Sequence, residues 1–178
     1  MRIIAGTLKG RRLKTPSWDG LRPTSDKLRE TLFNILAPRI GGARVLDGYA
    51  GTGAIGIEAI SRGAARVTFV ERDRRAQALI AENLAHCGVT DGYVIIRASI
   101  ARAIDDLHGD PFDIMIFDPP YDEQPEYDLA SAGALLANGG IIVLEHARRR
   151  SVPEAFGGVR RTREVVSGDS ALAFYEAR

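Results

Sequence analysis

From Ala43 onward, short apolar segments alternate with helical segments, and this alternation constrains the fold more than any other feature of the chain. Residues 54–62 and 74–86 have the spacing of helices. The segments that predict strands are residues 44–46, 66–70, 93–96, 112–117 and 140–144. Because parallel neighbours need crossover connections, the alternation predicts an α/β fold with a doubly wound, mostly parallel sheet.

Both ends of the chain depart from this pattern. Strand-like runs at 159–166 and 171–176, separated by a short polar turn, predict a C-terminal antiparallel hairpin. Residues 1–42 predict an arm made of a short glycine-containing hairpin and a helix. That helix can start at Thr24 or Ser25 and run to about Leu36, with Pro38 and the following glycines ending it. We therefore expect a single domain with an arm over 1–42 and a core over 43–178.

Length and composition exclude several classes of protein. The chain has 178 residues, of which 45% are hydrophobic and 26% charged, which excludes disordered and fibrous chains. No apolar run reaches the roughly 18 residues that span a bilayer, and the N-terminus lacks a signal-peptide pattern. The single cysteine, Cys87, excludes an internal disulfide and a CxxC zinc pair. We expect a monomeric cytoplasmic protein without membrane or metal partners.

Charge is distributed unevenly along the chain. Residues 1–44 hold ten Lys and Arg against three Asp and Glu, whereas the remainder holds fourteen against twenty. A basic arm on an acidic body predicts a polyanion that is contacted mainly through the arm, the alternative being a solvated charged surface. The candidate phosphate-binding residues are Arg2, Lys9, Arg11, Arg12, Arg22 and Arg29.

A glycine loop follows the first predicted strand. Gly51, Gly53 and Gly56 form a GxGxxG pattern, and Glu71 follows Gly51 by twenty residues at the end of the second strand. Glycines let the backbone approach a ligand, and the acid can accept hydrogen bonds from ribose hydroxyls. The loop, the flanking strand and helix, and Glu71 together predict a nucleotide cofactor.

Asp47 distinguishes between possible cofactors. A carboxylate four residues before Gly51 would repel the pyrophosphate that a dinucleotide places at the helix N-terminus. The same carboxylate would suit the amino group of S-adenosylmethionine, next to its sulfonium. Asp47 therefore favours S-adenosylmethionine, and a purely structural loop cap is the alternative.

The fourth strand runs into Asp118-Pro119-Pro120-Tyr121, at the sheet edge where ligands bind in open α/β folds. The prolines lack N–H donors, so the Asp118 carboxylate and the Pro119 carbonyl can accept both hydrogens of an exocyclic amine. Tyr121 offers a face for a flipped base. This predicts in-line displacement at a sulfonium methyl, accelerated by positioning, although a rigid turn without chemistry would have the same sequence.

These motifs resemble the RsmD family of bacterial 16S ribosomal RNA guanine-N2 methyltransferases. The resemblance is carried by residues 47–53, 57–64, 118–121 and 144–146, and by arm segments 2–6, 9–13 and 21–34. It implies a Rossmann-like class I methyltransferase sheet of seven strands with the last strand antiparallel. It also implies S-adenosylmethionine as cofactor, and 16S rRNA in the small subunit or its assembly precursor as substrate.

The resemblance also implies site residues. The catalytic residues would be Asp118, Pro119, Pro120 and Tyr121. The cofactor would be held by Asp47, Tyr49, Ala50, Gly51, Thr52, Gly53, Glu71, Arg72 and Ser99. Ser99 departs from the family, which usually has Asp or Asn before Ala where Ser99 precedes Ile100. Gly48-Tyr49 also stands where the family often has an apolar or aromatic pair.

Other functions fit parts of the sequence. The tetrapeptide is shared with adenine-N6 methyltransferases acting on DNA or RNA, although no dedicated sequence-reading domain is evident. The glycine loop is shared with dinucleotide-dependent oxidoreductases and with non-catalytic nucleotide-binding modules. A Tyr-Lys catalytic pair is not evident, since no lysine follows Lys27.

Overall fold

The structure is a computed structural model that describes residues 1–18, 24–107, 109, 111–120, 125 and 129–177. The strands are β1 (Arg44–Gly48), β2 (Arg66–Glu71), β3 (Tyr93–Arg97), β4 (Phe112–Phe117), β5 (Leu136–Ala147), β6 (Ala155–Phe156), β7 (Val159–Ser167) and β8 (Ser170–Ala177). The helices are α1 (Asp26–Ile40), α2 (Ala54–Ser61), α3 (Arg74–His86) and α4 (Ile100–Asp106), with a 3-10 turn at Ala132–Leu135. The strands form one sheet of order β3-β2-β1-β4-β5-β8-β7-β6.

The predicted topology is confirmed. Strands β1 to β5 are parallel, and the last strand, β8, lies antiparallel between β5 and β7. The sheet has eight strands where seven were expected, because the two-residue strand β6 is added at one edge. Gly157 and Gly158 join β6 to β7 with φ angles of 47° and 84°. Positive φ at both central residues is what the tightest hairpin turns require.

Helices cover both faces of the sheet. Alternate residues of a strand point to opposite faces, so Ile114 and Ile116 of β4 pack in one apolar cluster with α1, α2 and α3. Met115 and Phe117 pack in a second cluster with α4 and the 3-10 turn. This two-sided burial explains why the parallel strands are nearly continuously apolar.

The N-terminal hairpin packs against α2. Its two sides meet at the Arg2–Arg12 bridge, and Ile3 and Leu13 are buried in the same cluster as α2 and α3. The buried carboxylate of Glu58 accepts hydrogen bonds from the backbone N–H groups of residues 4 and 5 at 2.8 and 3.0 Å. Apolar packing and the buried Glu58 carboxylate thus hold the hairpin against α2.

Helix α1 starts at the predicted cap and is longer than predicted. The hydroxyl of Ser25 accepts the N–H of Leu28 at 3.1 Å. The helix continues through Pro38 to Ile40, beyond the predicted end near Leu36. A proline in the last turn removes only one backbone hydrogen bond, and the extra turn buries Ile40, which is 4% exposed.

Candidate active site

The carboxyl ends of β1, β2, β4 and β5 border a cavity of about 700 Å³. Predicted site residues in its wall are Tyr49, Ala50, Gly51, Thr52, Glu71, Arg72, Ser99, Asp118, Pro119 and Pro120. The sequence prediction did not include Trp18, Thr24, Ser25, Lys27, Glu145 and residues 167–170, which also line it. Tyr121 lies outside the described residues. The fold thus gathers the glycine loop, the proline turn and part of the arm around one space.

Glu71 supports the glycine loop. Gly51 and Gly53 have φ angles of 55° and 78°, in the left-handed region that glycine adopts without strain. One carboxylate oxygen of Glu71 accepts the N–H of Gly51 at 2.9 Å, and the other accepts the N–H of Asp73 at 2.8 Å. Gly53 adjoins α2 as its N-cap and lies behind the cavity wall.

Asp47 lies beneath the loop. Its carboxylate is 1% exposed and accepts the N–H of Gly56, in the first turn of α2, at 2.8 Å. Burial raises the pKa of Asp47 well above its usual range despite the Gly56 N–H, and the nearby carboxylates of Asp118 and Glu71 raise it further. The sequence hypothesis placed Asp47 against the ligand, whereas the structure places it behind the wall, at the N-terminus of α2.

The ligand preference of the loop follows from these contacts. In dinucleotide folds, the loop N–H groups and the helix N-terminus face a pyrophosphate. Here the Gly51 N–H is donated to Glu71 and the Gly56 N–H to Asp47. These two N–H groups are therefore already used within the protein, and the contacts disfavour a pyrophosphate at this point.

Tyr49 has a strained backbone. Its φ of 63° is the only positive value among non-glycine residues in the described part of the chain. Such a conformation costs on the order of 1–3 kcal/mol, and strained residues cluster at binding sites. Gly48 precedes it where a Cβ would lie 2.5 Å from the ring of Phe117, so no larger residue fits there without a shift. The glycine at position 48 therefore reflects a close approach of the backbone to Phe117.

The cavity wall beyond β2 and β3 includes charged residues and one arm residue. Ser99 accepts the N–H of Arg102 at 3.4 Å and caps α4. Hydrogen bonds from the side chain and backbone of Arg75 lower the pKa of Asp73 to about 2, so this carboxylate stays ionised at neutral pH. The guanidinium carbon of Arg75 lies 5.1 Å from the ring centroid of Trp18. The arm thus contributes a wall to this side of the cavity.

Two acidic residues lie side by side at the opposite wall. The register pairs Phe117 of β4 with Leu144 of β5, and Asp118 and Glu145 are the next residues after this last pair. Both line the cavity, and Glu145 is 6% exposed. The hydroxyl of Thr24 donates to Asp118 at 2.6 Å. Applying the strand-end rule to β5 would have found Glu145 from the sequence.

The six predicted phosphate-binding residues have three different outcomes. Arg2, Lys9, Arg11 and Arg12 are exposed, and Arg22 lies outside the described residues. For Arg29 the prediction is wrong, because its side chain is 0% exposed and cannot reach a phosphate. It donates instead to the carbonyl of Arg2 and to the carboxylate of Asp26, both at 2.7 Å, which ties the N-terminal hairpin to α1.

The basic hairpin is remote from the cavity. Arg11 donates to the carbonyl of His86, at the last residue of α3, whereas Arg75 in the first turn of α3 lines the cavity. A helix of 13 residues is about 20 Å long, so the two sites lie at opposite ends of α3. Lys27 is an exposed lysine that does line the cavity.

In the part of the chain that the structure describes, no helix is long and apolar enough to cross a membrane. Among the same residues, no group of three or more His, Cys, Asp or Glu side chains could hold a metal ion.

The strand order, with an antiparallel hairpin inserted so that the last strand lies beside β5, is that of the class I methyltransferases. The sequence matches the family described as conserved hypothetical protein 95 over residues 1–176. It is 37% identical over 179 residues to ribosomal RNA small subunit methyltransferase D of Escherichia coli (strain K12), covering 99% of this chain and 89% of that protein. The chain belongs to the RsmD family.

Further similarity extends over the full length. YlbH of Bacillus subtilis (strain 168) is 37% identical over 186 residues, covering 100% of both chains. The solved structure of yhhF from Escherichia coli has a TM-score of 0.86 at 36% identity, covering 100% of this chain and 99% of that chain. The similarity therefore includes the arm as well as the sheet.

Proposed function

We propose that the protein transfers a methyl group from S-adenosylmethionine to the exocyclic N2 amine of a guanine in 16S ribosomal RNA of the small subunit. One observation carries this proposal: the Asp118-Pro119-Pro120 turn and the glycine loop are walls of the same cavity. A base amine on the turn and a cofactor on the loop would therefore meet within one cavity.

The loop fits S-adenosylmethionine better than a dinucleotide. The N–H groups of Gly51 and Gly56 are already donated to Glu71 and Asp47, which disfavours a pyrophosphate. Gly51, Thr52, Glu71 and Ser99 would hold the cofactor. When bound, S-adenosylmethionine supplies an electrophilic methyl group on a positively charged sulfur.

The turn would orient the amine. The Asp118 carboxylate and the Pro119 carbonyl accept the two amine hydrogens, which favours pyramidal nitrogen and directs its lone pair at the methyl carbon. The new N–C bond would form as the C–S bond breaks, and the electron pair of the C–S bond would stay on the sulfur. The methylated amine is then cationic and releases a proton to Asp118 or water. Holding the two reacting atoms in line supplies most of the acceleration.

Glu145 favours guanine over adenine. The guanine edge presents the N1–H donor next to the N2 amine, whereas adenine presents an acceptor, N1, next to its N6 amine. A second carboxylate beside Asp118 can accept the guanine N1–H and would repel the adenine N1 lone pair. The adjacent acidic pair at the ends of β4 and β5 thus supports guanine as the target.

The RNA would be held at two places. Lys27 lines the cavity and suits a phosphate beside the target nucleotide. Lys9, Arg11 and Arg12 lie at the far end of α3, about 20 Å away, and suit a second backbone segment. A footprint of this size agrees with a folded substrate, which we propose to be the small subunit or its assembly precursor. We further propose a cytoplasmic monomer that uses no metal, with residues 1–42 as arm and 43–178 as catalytic core.

Methyl transfer from labelled S-adenosylmethionine tests the proposal. Small subunits lacking the modification, naked 16S rRNA and DNA are compared, and the product nucleoside is identified by mass spectrometry. N2-methylguanosine from the subunits is expected. N6-methyladenine would overturn the choice of base, and NADH binding without S-adenosylmethionine binding would overturn the choice of cofactor.

The variant Asp118→Ala tests the role of the turn in the same assay. Because Asp118 contacts the base and not the cofactor, we expect transfer to be abolished while cofactor affinity stays within a few-fold. Trp18, the single tryptophan of the chain, lines the cavity and reports cofactor binding by its fluorescence. Near-normal turnover by this variant would contradict the proposed role.

A further inference from the structure

A hydrogen bond links the arm directly to the proline turn. The hydroxyl of Thr24 donates to the carboxylate of Asp118 with an oxygen–oxygen distance of 2.6 Å, across 94 residues of sequence. Both residues line the cavity. The distance lies at the short end of the range for O–H···O hydrogen bonds.

We propose that Thr24 is a positioning residue that fixes the Asp118 carboxylate for the amine. This inference rests on the proposed function. The Asp118 carboxylate follows the end of β4, and its Oδ2 atom accepts the Thr24 hydroxyl. A hydroxyl that donates to Oδ2 selects one orientation of the carboxylate plane. The Asp118 oxygens are then oriented to accept the amine hydrogens before the base enters the cavity.

Thr24 is itself rigidly supported. It directly precedes Ser25, which caps α1 through the N–H of Leu28, and Leu28 is 2% exposed in the apolar cluster that includes α2. Arg29, fully buried one residue further on, ties the same turn to the arm hairpin. A positioning group works only when its own support is fixed, and α1 provides that support. The arm therefore contributes to the chemistry as well as to RNA binding.

A purely structural role is the alternative, in which the contact only holds the arm against the turn. Three substitutions distinguish the effect of the hydroxyl group from the effect of side-chain volume. Thr24→Ser keeps the hydroxyl, Thr24→Val keeps the volume, and Thr24→Ala keeps neither. Thr31→Val is a matched control, since the Thr31 hydroxyl bonds only the Lys27 carbonyl in α1, at 3.0 Å. Initial rates on small subunits give kcat and KM, and Trp18 fluorescence gives cofactor affinity.

We expect kcat to follow the hydroxyl. Thr24→Ser should stay within about 3-fold of the unmodified protein, whereas Thr24→Val and Thr24→Ala should lose about 10- to 100-fold in kcat, the effect of losing one hydrogen bond to a charged group. KM and cofactor affinity should change by less than about 3-fold, because Thr24 acts through Asp118. Thr31→Val should be unaffected.

Each other outcome overturns the inference. Activity that follows side-chain volume, with Val active and Ser and Ala impaired, would assign Thr24 a packing role. A loss confined to KM would assign it to RNA binding. Unchanged kcat in all three variants would remove Thr24 from the reaction while leaving the proposed function intact. The proposed function itself fails only if the unmodified protein forms no N2-methylguanosine. Because the Ser, Val and Ala variants are read separately, a folding defect in one leaves the comparison decidable.

Discussion

Replacing Glu145 by glutamine tests whether this carboxylate recognises the guanine. Glu145 is 6% exposed and lies beside Asp118 at the ends of β5 and β4. Glutamine has almost the same shape but lacks the charge and offers only one acceptor oxygen. A hydrogen bond to a charged group contributes about 1.5–3 kcal/mol, which corresponds to a loss of about 10- to 150-fold in kcat/KM.

The assay measures kcat/KM for methyl transfer to small subunits, with cofactor affinity read from Trp18 fluorescence. Glu176→Gln is the matched control, since Glu176 lies on the neighbouring strand β8, pairs with Arg39 at 3.2 Å and is in register with Ile141, at the end of β5 away from the cavity. We expect Glu176→Gln to leave kcat/KM unchanged.

A modified base tests the contact more directly. 2-Aminopurine keeps the exocyclic 2-amine of guanine but lacks the N1–H donor. In subunits reconstituted with 2-aminopurine at the target position, the unmodified protein should discriminate against it, and Glu145→Gln should lose most of that discrimination. Equal discrimination by the two proteins, or a kcat/KM within 3-fold of normal for Glu145→Gln, would refute the assignment of Glu145 to guanine N1–H.

Two further predictions concern Asp47 and the basic residues. Because the pKa of Asp47 in the folded protein is raised above its unfolded value of about 3.9, its contribution to the free energy of unfolding is present below about pH 4 and is lost as pH rises through the raised pKa. Asp47→Asn keeps an acceptor for the Gly56 N–H and cannot ionise. In urea unfolding from pH 4 to 8, the free energy of unfolding of this variant should therefore increase relative to that of the unmodified protein as pH rises. A difference in free energy that does not vary with pH would contradict this. Replacing Arg11 and Arg12 by Ala should weaken subunit binding and reduce the slope of log K against log salt concentration. Lys27→Ala should reduce this slope by the amount that corresponds to about one phosphate contact. Binding measured from 50 to 200 mM salt checks both, and an unchanged slope would remove the corresponding residues from the RNA interface.

The positions of Asp118 and the glycine loop could be predicted because they depend on local rules. Parallel strands place their carboxyl ends at one edge of the sheet, so a loop after β1 and a turn after β4 must be neighbours once the sheet is inferred. The contact between Thr24 and Asp118 could not be predicted in this way. Thr24 and Asp118 are 94 residues apart in sequence, and their contact depends on the path of the arm past the edge of the sheet. No local sequence pattern encodes that path.

Arg29 shows a signal that charge counting overlooks. Phe33, Leu36 and Ile40 follow it at spacings of 4, 7 and 11 residues, and all are buried on one face of α1. A residue in that series faces the core whatever its charge, because helix periodicity and not residue type sets its direction. The Nη2 atom of the buried guanidinium donates to the Arg2 carbonyl and to Asp26. Periodicity therefore outweighs the general preference of arginine for the surface at this position.

The glycine loop shows why one sequence pattern can serve two cofactor chemistries. The GxGxxG spacing fixes only the backbone path, through left-handed glycines at the start of a helix. The ligand is decided by what the loop N–H groups already bond: if they are open they form an anion site, whereas here Glu71 and Asp47 accept from them. Glu71 uses both oxygens in this way, yet each carboxylate oxygen has a second lone pair that can accept a ribose hydroxyl. The Glu71 carboxylate can thus hold the Gly51 N–H in place and still accept a hydroxyl from a ligand in the cavity, so the same acidic residue can both shape the loop and contact the ligand.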